Sequence, residues 1–582
     1  MNRRDHAVLT GLCVVLVAVA LSLGLPGAIA PAQREPTQVP SSGGPLRPYI
    51  EGMLGPLEQV SPLSARSQAE RNAVALVFSG LVRLGPGQTI IPDLADSWET
   101  DASGARWTFR LRPDAAWHDG VPVDADDVAF TVRVLRSQDY AGPRSASWRE
   151  VSVTVVDRLT VRFDLATPLA GFLQAATQPI VPEHVLGGQS ASALSSPTSV
   201  FGRGPVGSGP FRLVSVANGR ARFLPATRPR AMSTAAPNAG GSPTPPVDAL
   251  RTAPPPLIPP RPTSLLTGIE FRAFDSPAAL AAAYRAGEVD GASGLTAALN
   301  AELAQDVGTK LLRYPATTLM VVVVNVRRTH PHLRDAAVRR ALLAAIDRDS
   351  LVVHSLGGFA VRADALIPQS SWAYDAAANA LVPHDLDAAA RALEAAGWKP
   401  AADGWRPAGF QEPLVTELLS ADAEANPLAF AMAEAVAANW RQLGLTVNHV
   451  GLPPAELSSS RLRTADFDAV LLSVNVGLDP DLYPLLASTQ TTTTGSNLGG
   501  LQDAALDRLL AAARAPGTLG ARTTAYAVLQ RQLTAGMYLL PLAFRDVVVV
   551  ASERLSGPVA RTVGDPADRF WDVLSWRLAV GR

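Results

Sequence analysis

Along residues 92–135 the hydrophobic positions first alternate with polar ones and then recur on a helical period. Trp98, Trp107, Phe109 and Leu111 alternate with polar neighbours, which predicts an antiparallel pair of half-buried strands. Asp101, Ser103 and Gly104 lie between the two arms as the turn, and Pro113, lacking an N–H, ends the second arm. His118-Asp119-Gly120 forms a second turn, where glycine is free to take a positive φ. Asp124 then caps a helix with Asp127 in its first turn and Val128, Val132 and Leu135 on one face.

The same reading continues along the chain. Residues 66–78 and 279–285 predict helices, and 151–165 predicts a strand pair turning at Asp157-Arg158. The run LMVVVVNV at 319–326 has no polar alternation, as expected of a strand buried on both faces. A helix over 333–353 takes Asp335 as its cap and packs Val338, Leu342 and Ile346 inward. Its arginines and Asp347 are expected to form structural salt bridges. Residues 385–398 predict another helix, ending at Gly397. Over 426–443, Asn426 caps, Pro427 takes the first helical position, and Leu428, Met432, Val436, Trp440 and Leu443 share one side before Gly444 ends the helix. Residues 503–513 and 518–534 follow as amphipathic helices and 539–551 as a strand.

Length and composition narrow the picture. A chain of 582 residues calls for two or three lobes rather than one core. A net charge of −1 with scattered basic residues argues against a nucleic-acid partner. The single cysteine, Cys13, lies in an apolar leader, so the body has no disulfide, cysteine metal site or thiol nucleophile. Arg3 and Arg4 precede an uncharged run over 7–32, the layout of an export signal and long enough to stay as an anchor. Cys13 follows Leu12 too early in that run for lipid attachment. Residues 1–32 are therefore read as a signal peptide or N-terminal membrane anchor with the body outside, and 33–48 as a flexible tether. The proline runs of 225–262 cannot supply regular hydrogen bonding and are read as an exposed loop or spacer.

Catalytic chemistry finds little support. Gly207-Ser208-Gly209 is no nucleophile elbow, which would need glycine at Val206, and no Gly-Lys-Ser/Thr follows it to cradle phosphate. His118 and Asp119 are neighbours in a tight turn and do not converge on one substrate atom. His330, His332 and His384 are the nearest metal-ligand group, but Pro331 prevents a helical i, i+4 presentation.

The segments PDLADSWE at 92–99 and WTFRLRPDAAWHDGVPVDADDVAFT at 107–131 resemble the signature of the large extracytoplasmic solute-binding proteins of ABC importers, the peptide/nickel-type solute-binding family five. VFSGLVRL at 77–84, PVGSGPFRL at 205–213, GEVD at 287–290, VRRAL with AIDR at 338–348 and DPD at 479–481 are similar to further segments of that family, in the family's order. The resemblance covers roughly residues 50–555, interrupted by the proline-rich insert where the family carries a Tyr-Trp hairpin. It implies an α/β, three-lobed periplasmic-binding-protein-like fold of type II, the large peptide-binder class, with a hinged cleft. Lobe I would comprise 49–86, 179–318 and 541–582, lobe II 87–178, and lobe III 319–540.

By the same resemblance the cleft is bordered by Arg362, which would hold a carboxylate, by Trp372 and Tyr374, which would pack on a ligand, and by Asp479 and Tyr483 of the DPD loop. Ser208 would sit in a hinge-side loop. Peptide-binding members hold the ligand amine with an aspartate about three residues before DPD. Here that place is Val476, and the neighbouring Asn475 would offer a neutral contact instead. The implied function is capture of an oligopeptide or similar small solute, without cofactor or resident metal, and its delivery by a monomer to a membrane permease. Binding of a metal chelate or other non-peptide solute, or a receptor or scaffold role on the same fold, stand as alternatives.

Overall fold

The alternation around Trp98 folds as its period requires. In the computed structural model, Ala95–Thr100 and Arg106–Leu111 pair antiparallel, with Trp98 opposite Phe109 and Thr100 opposite Trp107. Gly104 takes φ +67° in the intervening turn and Gly120 φ +94° in the next. The structure describes residues 47–86, 89–143, 148, 151–226, 264–491 and 495–579; the leader, the tether up to residue 46 and nearly all of the proline-rich insert lie outside these. Thr160–Leu165 and Val151–Asp157 extend the hairpin to a four-stranded antiparallel sheet. Phe109, Phe163, Phe172 and Trp148 pack edge-on behind it at centroid spacings of 5.4–6.4 Å.

The helix Ala125–Arg136 begins with a reciprocal capping box between Asp124 and Asp127. Asp127 also accepts from Trp117 Nε1 at 3.0 Å and from the Glu183 N–H at 2.8 Å, so one carboxylate ties the second turn, the helix start and the short helix Glu183–Leu186 together. His118 and Asp119 point to different partners: His118 Nε2 donates to the Gly209 carbonyl at 3.0 Å, while Asp119 meets His184 at 2.9 Å.

Among the described residues, three two-stranded ribbons stand apart, and the eleven further strands form the largest sheet. In spatial order these are Thr446–Leu452, Val415–Ala421, Ala469–Asn475, Thr309–Val324, Leu540–Ser552, Gly291–Ser293, Tyr49–Leu54, Ile269–Phe274, Arg220–Pro225 and Phe211–Ala217, with Ala360–Arg362 added beside Leu540–Ser552. Residues 325–539 are one uninterrupted stretch, entered through Thr309–Val324 and left through Leu540–Ser552. These two antiparallel strands are the only covalent crossings between that second half and the first half, which holds everything before and after them.

The expected strand over 319–326 is thus the end of a sixteen-residue strand. Residues 319–324 are buried on both faces, Met320, Val322 and Val324 in one cluster and Leu319, Val321 and Val323 in another. Residues 309–313 are half-buried or exposed and carry Lys310 and Arg313, so their apolar signal is diluted. Between Pro315 and Leu319 the register with the return strand breaks, and Val563 exchanges backbone hydrogen bonds with Pro315 and Thr317 there.

Helix signals hold across the second half. Asn426 caps Pro427–Gln442, Asp385 caps Leu386–Ala395, Asp503 caps Ala504–Arg514 and Thr518 caps Leu519–Gly536. The arginines of Ala336–Ala344 depart from expectation. Arg339 is buried and donates to the carbonyls of Leu333, Gly536 and Met537, and Arg340 to that of Thr534, so they satisfy carbonyls at and near the end of Leu519–Gly536 rather than forming salt bridges. Among the described residues no helix is long and apolar enough to cross a membrane.

Candidate binding cleft

In the first half, Tyr49–Leu54 runs parallel to Gly291–Ser293, with Met53 opposite Ser293, and both strands end at one edge. The helices Gln68–Val77 and Ala297–Leu303 follow them. In the second half, Val415–Ala421 runs parallel to its two neighbours and leads to Pro427–Gln442. The carboxyl ends of parallel strands are where open α/β sheets leave room for ligands, because the chain turns away into its helices.

A cavity of about 400 Å³ lies there. Met53, Leu54, Gln68, Asn72 and residues 293–297 line it from the first half, and Ser355, Leu356, Phe359 and Leu428 from the second. Ala316, Thr318 and residues 545–548 of the two crossing strands make its back wall. A larger cavity of about 560 Å³ runs from Phe78 to Trp571, but its lining comes wholly from the first half. Of these two, the smaller touches both halves and both crossing strands, and is the candidate cleft.

Most charges at this cleft are already neutralised. Arg569 is bound through two nitrogens to Glu51 at 3.0 and 2.5 Å, with both side chains buried. Asp546 receives Arg313 at 2.6 and 3.0 Å. Gln68 donates to Asn72 and Asp565, each at 3.0 Å. Arg545 differs: no acceptor among the described residues reaches its guanidinium, and burial lowers its pKa from the ordinary arginine value.

The seven residues singled out from sequence lie in four places, none of them on this cavity's lining. Arg362 and Tyr374 come together on a recess of about 180 Å³ that shares Ala316 and Asp546 with the cleft. The Arg362 guanidinium is held by Asp349 at 2.6 Å and Asp364 at 3.2 Å. Burial raises the Tyr374 phenol. Trp372, Asp479 and Tyr483 belong to a cation–carboxylate–aromatic group. Asp479 takes Arg522 through both oxygens at 2.7 Å, Arg522 lies over the Trp372 ring, Trp372 meets Tyr526 edge-on, and Arg514 lies over Tyr483. Asn475 accepts from Thr317 at 2.7 Å and donates to the Gly564 carbonyl at 2.6 Å, pinning its strand to the C-terminal segment. Ser208 accepts from the Ser79 N–H at 3.2 Å, and the N–H groups of Ser208 and Gly209 cap the Val77 carbonyl. Gly207 and Gly209 allow that approach, since a Cβ on either would lie 2.1 or 2.6 Å from a helix carbonyl oxygen.

Gln68, Asn72 and Arg545 were not read as candidates in the sequence. The readable signal for Arg545 was an Arg-Asp pair interrupting the strand LPLAFRDVVVVAS. Among the described residues no group of three or more His, Cys, Asp or Glu side chains is placed to hold a metal; His332 lies against Trp398 and Phe410, while His330 faces Asp468.

The family of bacterial extracellular solute-binding proteins, family 5, matches residues 89–228 and 258–497 of this chain. Protein XP55 of Streptomyces lividans is 28% identical over 556 residues, covering 94% of this chain and 92% of that protein. Among solved structures, NikZ of Campylobacter jejuni in complex with Ni(L-His) superposes with a TM-score of 0.68 at 23% identity, covering 91% of this chain and 99% of that one. The oligopeptide-binding protein AppA of Bacillus subtilis in complex with a nonapeptide gives a TM-score of 0.69 at 21% identity, covering 92% and 100%.

Proposed function

The chain belongs to the bacterial extracellular solute-binding proteins, family 5, and from that premise we propose that it captures a small solute between its two halves and passes it, chemically unchanged, to an ABC-type membrane permease. The observation that carries this reading is the 400 Å³ cavity bounded by both halves and backed by their only two connecting strands. A ligand there touches both halves at once only when they are close together, so its binding energy favours the closed arrangement, and the crossing strands act as the hinge. The lobes move as the units assigned from the sequence, with lobe III closing on lobes I and II, and the protein acts as a monomer held outside the membrane by its leader or released from it.

The fold does not choose the solute, since neighbours of similar TM-score hold ligands as unlike as a nonapeptide and a nickel–histidine complex. The cleft does. Its volume is near the lower end of the range for small-molecule sites, which runs from about 300 to 1,000 Å³. That favours a short peptide or a solute of similar size over a long one. The recess holding Arg362 and Tyr374, with Trp372, Asn475, Asp479, Tyr483 and Ser208 around the junction, forms the outer contact set in this proposal.

A thermal-shift screen of the full chain against short peptides, sugars and metal chelates tests the reading. A compound that binds the folded state alone raises the melting temperature, by about 2.7 kcal/mol of added stability at a hundred times its Kd. A shift with short peptides is expected; no shift with any of the three classes would refute solute capture.

A further inference from the structure

We infer that the cleft takes a solute bearing a single carboxylate and that Arg545 is its anchor, an inference that rests on solute capture in this cavity. Arg545 lies in the return strand Leu540–Ser552, whose other residues apart from Asp546 and Ser552 carry no polar side chain, and it lines the cavity at the hinge. Arg545 is half-buried, and a partly desolvated guanidinium that lines a cavity without a protein partner gains from a ligand that replaces its lost hydration. Among the described residues, no carboxylate, carbonyl oxygen or aromatic ring engages it. The other charges at the cavity, Arg569 on Glu51 and Asp546 on Arg313, are paired. The cavity wall therefore carries one uncompensated positive charge.

The chemistry of that charge selects the ligand group. A planar guanidinium matches a carboxylate through two parallel hydrogen bonds. A carboxylate carries the single negative charge that balances it, whereas a phosphate dianion would leave one charge unmet among Met53, Leu356, Phe359 and Leu428. Among the described residues that line the cavity, the one acidic side chain, Asp546, is already paired with Arg313, which leaves none for a ligand ammonium. Position 476, where an acid would have been placed to hold one, is Val476, 4% exposed and packed in an apolar cluster. Arg362, the arginine that the sequence suggested for this task, is already held by Asp349 and Asp364. The anchor has moved from the loop to the hinge strand.

Calorimetric titration of the full chain tests this with a tripeptide library in three forms, namely free acids, C-terminal amides and N-acetylated acids, beside small monocarboxylic acids, their methyl esters and the matching phosphate monoesters. The free acids should bind at least about 30-fold more tightly than the amides or esters, the loss typical of removing one partner of a desolvated charge pair. N-acetylation should change affinity by less than about threefold, and the phosphate esters should bind more weakly than the carboxylates. Arg545→Gln should erase the difference between acid and amide, and Arg545→Lys should restore part of it. Equal binding of acids and amides, tighter binding of phosphate esters, or full discrimination by Arg545→Gln would each overturn the anchor while leaving solute capture standing. No binding by any compound would overturn both. The ligand-free melting temperature of Arg545→Gln supplies an independent check. It should stay level or rise, and a fall of several degrees would mean that the guanidinium serves the fold instead.

Discussion

Glu51 and Arg569 meet in the core of the first half from opposite ends of the chain, with side chains 0% and 1% exposed. Such a pair is weak evidence of net stabilisation, but removing one partner leaves the other charge buried and alone. Arg569→Met or Glu51→Gln should therefore each cost about 3–5 kcal/mol, read as a lower midpoint in urea unfolding, whereas replacing both by apolar residues should cost less than either alone. Asp568, one residue away, gives a pH-dependent counterpart. Burial pushes its carboxyl from the usual 3.8 up to about 6, against the hydrogen bonds it accepts from Asp565 and Gly564. Between those values the folded protein keeps a proton that the unfolded chain has released, so this group's contribution to stability is lost as pH rises through about 6. Asp568→Asn keeps an accepting oxygen but cannot ionise, and its stability relative to the wild type should increase from about pH 4 to about pH 6 and then level off. Urea unfolding across that range checks the sign. At this scale the sequence was least informative. Arg362 and Arg545 look alike as letters, and only the positions of Asp349 and Asp364 reveal which one is already paired.

At the scale of the element the chain was far more legible, because the forces are local. Asp124 with Asp127, Asn426 with Pro427 and the alternation over 98–111 each fix a boundary through groups a few residues apart, and each boundary was found where those groups predict. Misreadings occurred where a partner was distant in sequence. The long strand was expected to begin ten residues late because its first residues are partly solvated, and Arg339 was paired with carboxylates because two of the three carbonyls it serves lie nearly two hundred residues on. Two changes separate local from shared roles. Asp124→Ala removes a cap alone and should cost about 1 kcal/mol. Asp127→Ala also strands the Trp117 and Glu183 donors and should cost more, by thermal or urea unfolding. Gly207→Ala would place a Cβ 2.1 Å from the Val77 carbonyl oxygen and force the loop off its helix, at about 1–3 kcal/mol, while Gly204→Ala meets nothing within 4 Å and should be near neutral.

For the whole molecule, family resemblance and chain order together indicated the hinged α/β architecture, but not where its cavity would open. That depends on which strands end at a common edge, and pairings such as Met53 with Ser293 join segments more than two hundred residues apart. The two halves also meet away from the hinge, where a Cβ on Gly171 would lie 3.4 Å from the Asp479 Cβ and the Ala170 N–H donates to the Arg514 carbonyl at 3.0 Å. That spacing is close to the Cβ separation of a disulfide, about 3.8 Å. With Cys13 replaced by serine, the pair Gly171→Cys and Asp479→Cys should oxidise readily and slow ligand exchange at least about tenfold, reversibly with reductant, in stopped-flow measurements. Unchanged exchange in the oxidised protein would mean that the solute enters without the halves parting.

The paired crossing strands have one more consequence. Pro315 stands opposite Asp546 on antiparallel neighbours, so the points where the chain leaves the first half and re-enters it are adjacent. A two-residue turn could bridge them, and the intervening residues could be deleted without breaking any strand order on the remaining side. The product would be a single-jawed protein of Tyr49, Phe109, Trp117 and Trp576 around one core, expected to fold cooperatively, to keep its near-ultraviolet circular dichroism, and to hold no solute at all.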